Sequence, residues 1–365
     1  MKHRNRIVQL AAFLLIVSLI RVAFSCCQFD DEQSATVVYD SLTVVKPVII
    51  TDTTFNDTDD PAIWINPTDP SKSLIIGTDK GDSTGGLWVF NIEGKIDSSK
   101  CVFNMKRPNN VDIQYGFNLN GTSTDIAVCT ERGTDMIRVF SLPEMKAIDN
   151  GGIPVFQTET QRKPMGIALY KDPKNGEVYA FVSRKSGPDG SYVWQYQLSA
   201  QPDGSVIGTQ VRSFGLFKGM REIEAIAVDD ELGYVYYSDE GSGIRQYYAH
   251  PDSSNVELTL FGTTGFVRDH EGISIYPTSK GKGYILVSDQ EVNRFRIFKR
   301  EGTKSNFFEH QLVKIVNVAA MESDGSEVTA IPLNSTFSKG LFVAMSTDKT
   351  FHYYRWEDIA GNDLK

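Results

Sequence analysis

The chain is poor in residues that many enzymes and small secreted domains depend on. Cysteine occurs four times in 365 residues, and Cys26 and Cys27 stand directly behind an apolar leader, so only Cys101 and Cys129 remain beyond it. A disulfide framework is thereby excluded, one bridge stays open, and the core has to be held by burial. The five histidines, His3, His250, His270, His310 and His352, show no metal-ligand spacing,. A Gly-x-x-x-x-Gly-Lys phosphate loop is absent as well,. Cys101 and Arg107 have the Cys-x₅-Arg spacing of cysteine-dependent phosphatases. The residues between them, Val102-Phe103-Asn104-Met105-Lys106, hold no glycine for a phosphate-embracing loop and read as an outer strand. No Lys/Arg block follows the leader and the formal net charge is −9, which argues against nucleic acid as a partner.

The leader is the longest apolar run. Met1–Arg6 is basic, and Leu10 to Ile20 is apolar over about ten residues, the length of a signal h-region and too short for a membrane span,. Export is therefore expected, with residues 1–25 as signal peptide. Ala23-Phe24-Ser25 fits a small-x-small cleavage site, and Cys26 or Cys27 also fits the cysteine acylated in a bacterial lipoprotein. Two destinations follow: an outer-membrane or cell-surface lipoprotein, or a secreted or periplasmic protein. Membrane attachment is expected through the lipidated cysteine only. Residues 26–42, with Asp30, Asp31 and Glu32, read as a solvated tether.

What the chain has is β-structure. Composition is ordinary for a globular protein, 41% hydrophobic and 23% charged,. Short alternating segments broken by Gly, Pro, Asn and Asp follow one another with hardly any helical period. They group in fours: Ala62–Asn66, Leu74–Thr78, Leu87–Ile92 and Cys101–Met105, then Val111–Leu119, Asp125–Thr130, Ile137–Leu142 and Val155–Thr158. Similar quartets begin near Gly166, Ile223, Gly272 and Val328, a period of roughly 50 to 58 residues, near the kelch-like end of the propeller range. The expected fold is all-β, a six-bladed β-propeller over residues 43–361. The last group lacks a fourth strand, and Val44–Ile50 is expected to supply it and close the ring. A large β-sandwich is the rival architecture.

Acidic residues recur where the first strand of a group begins: Asp59 and Asp60, Asp112, Glu222 and Glu224, Asp269 and Glu271. In a propeller those starts face one mouth. Carboxylates a few ångströms apart repel by several kcal/mol at an effective dielectric near 20, so bound hard cations, above all several Ca²⁺ ions, are expected.

Five separated motifs, Asp59-Asp60-Pro61-Ala62-Ile63-Trp64, Leu87-Trp88-Val89-Phe90-Asn91-Ile92-Glu93-Gly94-Lys95, Asn109-Asn110-Val111-Asp112-Ile113, Glu271-Gly272-Ile273-Ser274-Ile275-Tyr276 and Gly281-Lys282-Gly283-Tyr284-Ile285-Leu286, resemble those of the β-propeller phytases, in order, from about Val44 to Ala360. The resemblance implies a calcium-dependent phosphomonoesterase that removes phosphate from myo-inositol hexakisphosphate by metal-activated water. Carried over by position, Asp59, Glu224, Asp269, Glu271 and Gln290 would be ligands of the catalytic ions, with Asp239 and Glu240 as contributors. Asp60 and the Asn110-Val111-Asp112 segment would belong to more structural calcium binding. Lys80, Arg132 and Lys185 match residues that grip phosphate oxygens, so they are expected to bind substrate rather than stabilise the ring. Ca²⁺ held by carboxylates can polarise P–O bonds and lower the pKa of a bridging water, and no covalent intermediate is required.

The chain also departs from that pattern. Gly81 stands where a second basic residue is usual, Met165 replaces a tyrosine of the site, and the last blade lacks an acidic-Gly-Asn loop, whose calcium site would be lost or rebuilt from Asp324, Glu327 and Asp348. The expected partners are phytate or other inositol phosphates as calcium complexes, met by a monomer. Rival functions are a calcium-dependent lactonase-like hydrolase, which would not need Lys80, Arg132 and Lys185, and a non-catalytic surface-binding propeller.

Overall fold

Second strands such as Leu74–Asp79 and Val178–Arg184 are buried along their whole length. A strand apolar on both faces needs a sheet against each, which a ring of stacked blades supplies. The computed structural model describes residues 36–365. The expected signal peptide, the cysteines expected as acylation sites and most of the expected tether lie outside the described residues.

Six antiparallel blades follow in chain order. The first is Thr58–Trp64, Leu74–Asp79, Gly85–Asn91 and Val102–Met105, and the second is built on Pro108–Leu119, Thr122–Glu131 and Met136–Ser141. The third is Pro164–Lys171, Val178–Arg184, Val193–Ala200 and Val206–Phe214, and the fourth Ile226–Asp229, Tyr234–Asp239, Gly243–Tyr248 and Thr259–Phe261. The fifth is Ile273–Ser279, Lys282–Asp289, Arg294–Lys299 and Leu312–Val318, and the sixth Ser326–Thr329, Leu341–Ser346 and Thr350–Arg355. The innermost strands touch their neighbours all the way round, sixth against first. Apolar clusters fill the interfaces between blades. At the sixth–first junction Ile75, Trp88 and Phe90 meet Val343, Met345, Phe351 and Tyr353.

The amino-terminal closure differs from expectation. Only Ile49–Ile50 completes the sixth blade, pairing with Tyr353 and His352. Val38–Val45 instead runs parallel to Leu312–Val318 as a fifth strand of the fifth blade. The change of partner falls at Lys46-Pro47, where proline has no N–H to continue a ladder. In the second blade the outer edge is Lys146–Ala147 and Ile153–Pro154, both on Met136–Ser141. Val155–Thr158 is not a strand there: Phe156 has φ +52°, and Val155 and Phe156 turn into the cluster shared with the third blade. Cys101 and Cys129 are free thiols. The chain ends in a short helix, Trp356–Ala360, whose Trp356 stacks on Tyr276 at 3.6 Å.

One repeated device ties four successive pairs of blades, from the second to the sixth. A hydroxyl near the end of the second strand donates to a carbonyl at the start of the following blade. Thr130 Oγ1 donates to the Met165 carbonyl at 2.6 Å, Ser183 Oγ to that of Ile223 at 2.5 Å, and Ser288 Oγ to that of Ser323 at 2.6 Å. Ser238 Oγ donates likewise to the His270 carbonyl. Three of the acceptors, Ile223, His270 and Ser323, adjoin Glu224, Asp269, Glu271 and Asp324, so those clasps fix the backbone that carries an acidic side chain.

Candidate functional site

At the mouth where the inner strands begin lies a cleft of about 430 Å³. Its acidic wall comprises Glu222, Glu224, Glu240, Asp269, Glu271 and Asp324, and its basic wall Lys80, Arg132, Lys185 and Arg221. Carboxylate oxygens of Glu224, Glu240 and Glu271 lie within 4.8 Å of one another. Asp59, 1% exposed, reaches the same region: Lys80 Nζ is 3.0 Å from Asp59 Oδ1 and 2.9 Å from Asp324 Oδ2. Arg132 Nη2 donates to Asn109 Oδ1, and Asn109 Nδ2 donates to Glu224 Oε1. Gln290 Nε2 donates to Asp324 Oδ1. Lys185 pairs with Glu222. Arg221 Nε and Nη1 each lie 2.8 Å from an oxygen of Asp269.

The electrostatics are those of crowded, partly dry carboxylates. Burial, then Glu224 and Asp269, pushes Glu240 up to about 8. Burial raises Asp59 and Glu271 well above the usual carboxylate range, and Glu224 and Asp324 add to both. Asp269 is raised to about 6 by burial and by Glu291. Burial opposes the charge on Lys80, yet Asp59, Asp324 and Glu224 outweigh it and hold the ammonium well above the usual lysine value.

Two buried oxygens, Asp59 Oδ2 and Glu240 Oε1, have no hydrogen-bond partner. Such orphaned acceptors in an all-oxygen donor set, with no thiolate or imidazole, fit a hard divalent cation. The acidic cluster is thus chemically suited to hold such an ion,.

Of the residues expected from the sequence, Lys80, Arg132, Lys185, Glu224, Glu240, Asp269, Glu271 and Gln290 line the cleft, with Asp59 joined to them through Lys80. Asp239 does not. Its carboxylate is held by Arg245 at 2.7 Å and accepts from the Lys218 N–H at 3.1 Å, so it anchors a loop. Asp60 and Asp112 line a separate axial cavity of about 120 Å³ with Glu327. There Asp60 Oδ2 accepts from the Val111 N–H at 3.0 Å and Asp112 Oδ2 from the Leu169 N–H at 2.6 Å, stitching successive inner strands. Asp324, Glu327 and Asp348 do not assemble a site: the first is in the cleft, the second in the channel, and Asp348 binds Thr350 Oγ1 at 2.5 Å.

Three cleft residues lay outside the expected ligand and phosphate sets, Arg221, Glu222 and Asp324, and so did Asn109, which links Arg132 to Glu224. Asp324 starts the sixth blade as Asp59 starts the first, so the repeat itself carried that signal. A side chain at position 81 is closed off, since a Cβ there would lie 2.5 Å from Asn56 Nδ2 and 2.7 Å from the Gly85 nitrogen. Gly81-Asp82-Ser83-Thr84-Gly85 has the spelling of a serine-hydrolase elbow, but it is the turn between two strands of the first blade and leads into no helix,.

Comparison with known proteins gives two findings. The family model described as Phytase matches residues 4–358. A 3-phytase of Bacillus subtilis (strain 168) is 30% identical over 320 residues, covering 83% of this chain and 80% of the relative.

Proposed function

This chain belongs to the phytase family and hydrolyses phytate, and from that premise we propose that the cleft does so with several Ca²⁺ ions. Asp59, Glu224, Glu240, Asp269 and Glu271, with the amide oxygen of Gln290, would hold them. When bound, such ions neutralise the carboxylates, polarise the phosphoryl oxygens and make water nucleophilic near neutral pH. Lys80, Arg132 and Lys185 grip the oxygens of the phosphate under attack, countering charge that grows in the transition state. Asn109 orients Glu224 and couples it to Arg132, so the acidic and basic walls move as one unit. Asp60, Asp112 and Glu327 form an accessory, structural cation locus in the channel, away from the chemistry.

The observation that carries this reading is the meeting of Glu224, Glu240 and Glu271 oxygens within 4.8 Å, beside three cations on neighbouring blades. The test is a calcium titration of chelator-stripped protein with phytate and a lactone assayed side by side. Phosphate release that returns with calcium, and no lactone opening, is expected. Full phytate hydrolysis in excess chelator would refute the calcium assignment.

The leader supports a further proposal, export with acylation at Cys26 or Cys27. Mass spectrometry of the mature amino terminus checks it, and an unmodified end would favour free secretion instead.

A further inference from the structure

We propose that the residue ending the second strand of each blade is a positioning residue for the cleft, with Asp289 and Asp79 the clearest cases. Its buried side chain holds the loop that enters the same blade's inner strand, and so sets where that loop's cleft-facing side chains stand. This rests on the phytase reading of the cleft. The six residues are Asp79, Glu131, Arg184, Asp239, Asp289 and Ser346, each the last of its strand and each at most 4% exposed. Their side chains differ, yet the contact recurs. Asp79 Oδ1 accepts from the Asp57 N–H at 2.7 Å, Glu131 Oε1 from that of Lys106 at 2.7 Å and Asp239 Oδ2 from that of Lys218 at 3.1 Å. Asp289 Oδ1 accepts from the Val267 N–H at 2.9 Å and Ser346 Oγ from that of Met321 at 3.1 Å. In the third blade the polarity reverses, and Arg184 Nη1 donates to the Gln161 carbonyl at 3.2 Å.

What these contacts hold is the machinery of the cleft. Two or three residues beyond the five held N–H groups, the chain delivers Asp59, Asn109, Arg221, Asp269 and Asp324. In five blades the residue directly after the anchor lines the cleft as well: Lys80, Arg132, Lys185, Glu240 and Gln290. Its own N–H bonds the entry loop again, as from Lys80 to the Asp57 carbonyl at 2.7 Å and from Gln290 to that of Asp269 at 3.3 Å. One buried side chain therefore registers two cleft side chains against each other, one on the loop and one at the strand end.

The anchoring carboxylates are spoken for by groups behind the cleft. Asp289 Oδ2 accepts from Arg294 Nε at 2.8 Å and Arg296 Nε at 3.3 Å, and Asp79 Oδ2 from Trp88 Nε1 at 3.1 Å and Asn56 Nδ2 at 3.0 Å. A buried backbone N–H needs an acceptor, and a carboxylate whose lone pairs are taken up in this way supplies one while staying out of the ligand set. Groups that orient metal ligands from behind are worth about 10- to 100-fold in metal affinity or activity.

The experiment compares the wild type with Asp289→Ala, Asp289→Asn and Asp79→Asn, and with Asp229→Ala as control. Asp229 is a buried carboxylate paired with Arg300 at 2.6 Å, but it ends an inner strand and so lies on the face away from the cleft. Calorimetry measures calcium binding to chelator-stripped protein, phosphate release from phytate is titrated with calcium, and mass spectrometry follows amide exchange over residues 52–60 and 262–272. Asp289→Ala should weaken calcium binding, raise the calcium concentration for half-activity and speed exchange over 262–272, each about tenfold or more. The Asn variants keep one acceptor oxygen but turn an amide N–H toward the donors behind it, and should lose roughly threefold or more in each readout, with exchange over 52–60 responding for Asp79→Asn. Asp229→Ala should lower Tm yet leave all three readouts within about twofold. If Asp289→Ala does not fold, the two Asn variants decide. Asp289 and Asp79 variants that match Asp229→Ala in every readout would overturn the proposal and leave the anchors as supports of the ring alone. A wild type inactive on phytate would refute the phytase reading separately, and the exchange comparison would still decide whether the anchors position the loops.

Discussion

Lys80 and Lys185 were expected from the sequence to act alike, binding phosphate without supporting the ring, yet the structure separates them. Lys80 lies 3.0 Å from Asp59 on the first blade and 2.9 Å from Asp324 at the start of the sixth, so it bridges the closing seam of the ring. Replacing it with Ala leaves two largely buried carboxylates facing each other, a loss of about 3–5 kcal/mol for a broken buried pair. With an unfolding entropy of ~0.7 kcal/mol/K for a fold of about 330 residues, this corresponds to a Tm drop of about 4–7 °C. Lys185 is 46% exposed and its partner Glu222 28%, and solvent-screened pairs of that kind contribute at most about 1 kcal/mol. Lys185→Ala should therefore move Tm by about 1 °C. Both variants should lose at least about tenfold in phytate turnover. Scanning calorimetry at pH 8 in chelator, where protonation of Asp59 or Asp324 is least able to soften the loss, alongside phosphate-release kinetics in calcium, decides the matter. Equal small shifts in Tm for the two variants would refute the seam argument.

Other outcomes follow from the same geometry. Glu240, Glu271 and Asp269 have raised folded pKa values, so between their ordinary unfolded values and the folded ones the native state holds more protons, and stability falls as pH rises; in chelator, Tm should decline from about pH 5 to pH 8, and saturating calcium should abolish the decline. Ser183→Ala removes the clasp on the Ile223 carbonyl and should cost about 1 kcal/mol and raise the calcium concentration for half-activity, both read from titrations of melting and turnover. Asp112→Asn should lower Tm while leaving kcat on phytate within about twofold, because Asp112 lies in the channel and not in the cleft,.

Much of this was legible in the sequence because a propeller repeats itself. Six groups of alternating apolar segments, and acids at the start of the first strand in several of them, locate the mouth without any coordinates. What was not legible depends on neighbours in space. Asp239 has the position of a ligand, but Arg245, six residues on in the adjoining strand, takes its charge. Asp60 is one residue from Asp59 and Asp112 three from Asn109, and alternation of side chains along a strand turns them toward the channel instead,. Val44–Ile50 reads as one strand, and only Pro47 hints that it serves two blades. Arg221 sits in an irregular loop with no periodic signal, and only its contact with Asp269 in space places it in the cleft.

The parallel pairing of Val38–Val45 with Leu312–Val318 also sets a direction of travel. Leu312–Val318 runs toward the mouth, since the chain next reaches Asp324 in the cleft, and Val38 pairs with Lys314 while Val45 pairs with Val318. The first described strand therefore climbs toward the cleft from the far face of the ring. Attachment through the residues ahead of it would hold the protein by its back. A polyanionic inositol phosphate could then approach the open side from solution, without passing between the enzyme and whatever surface holds it.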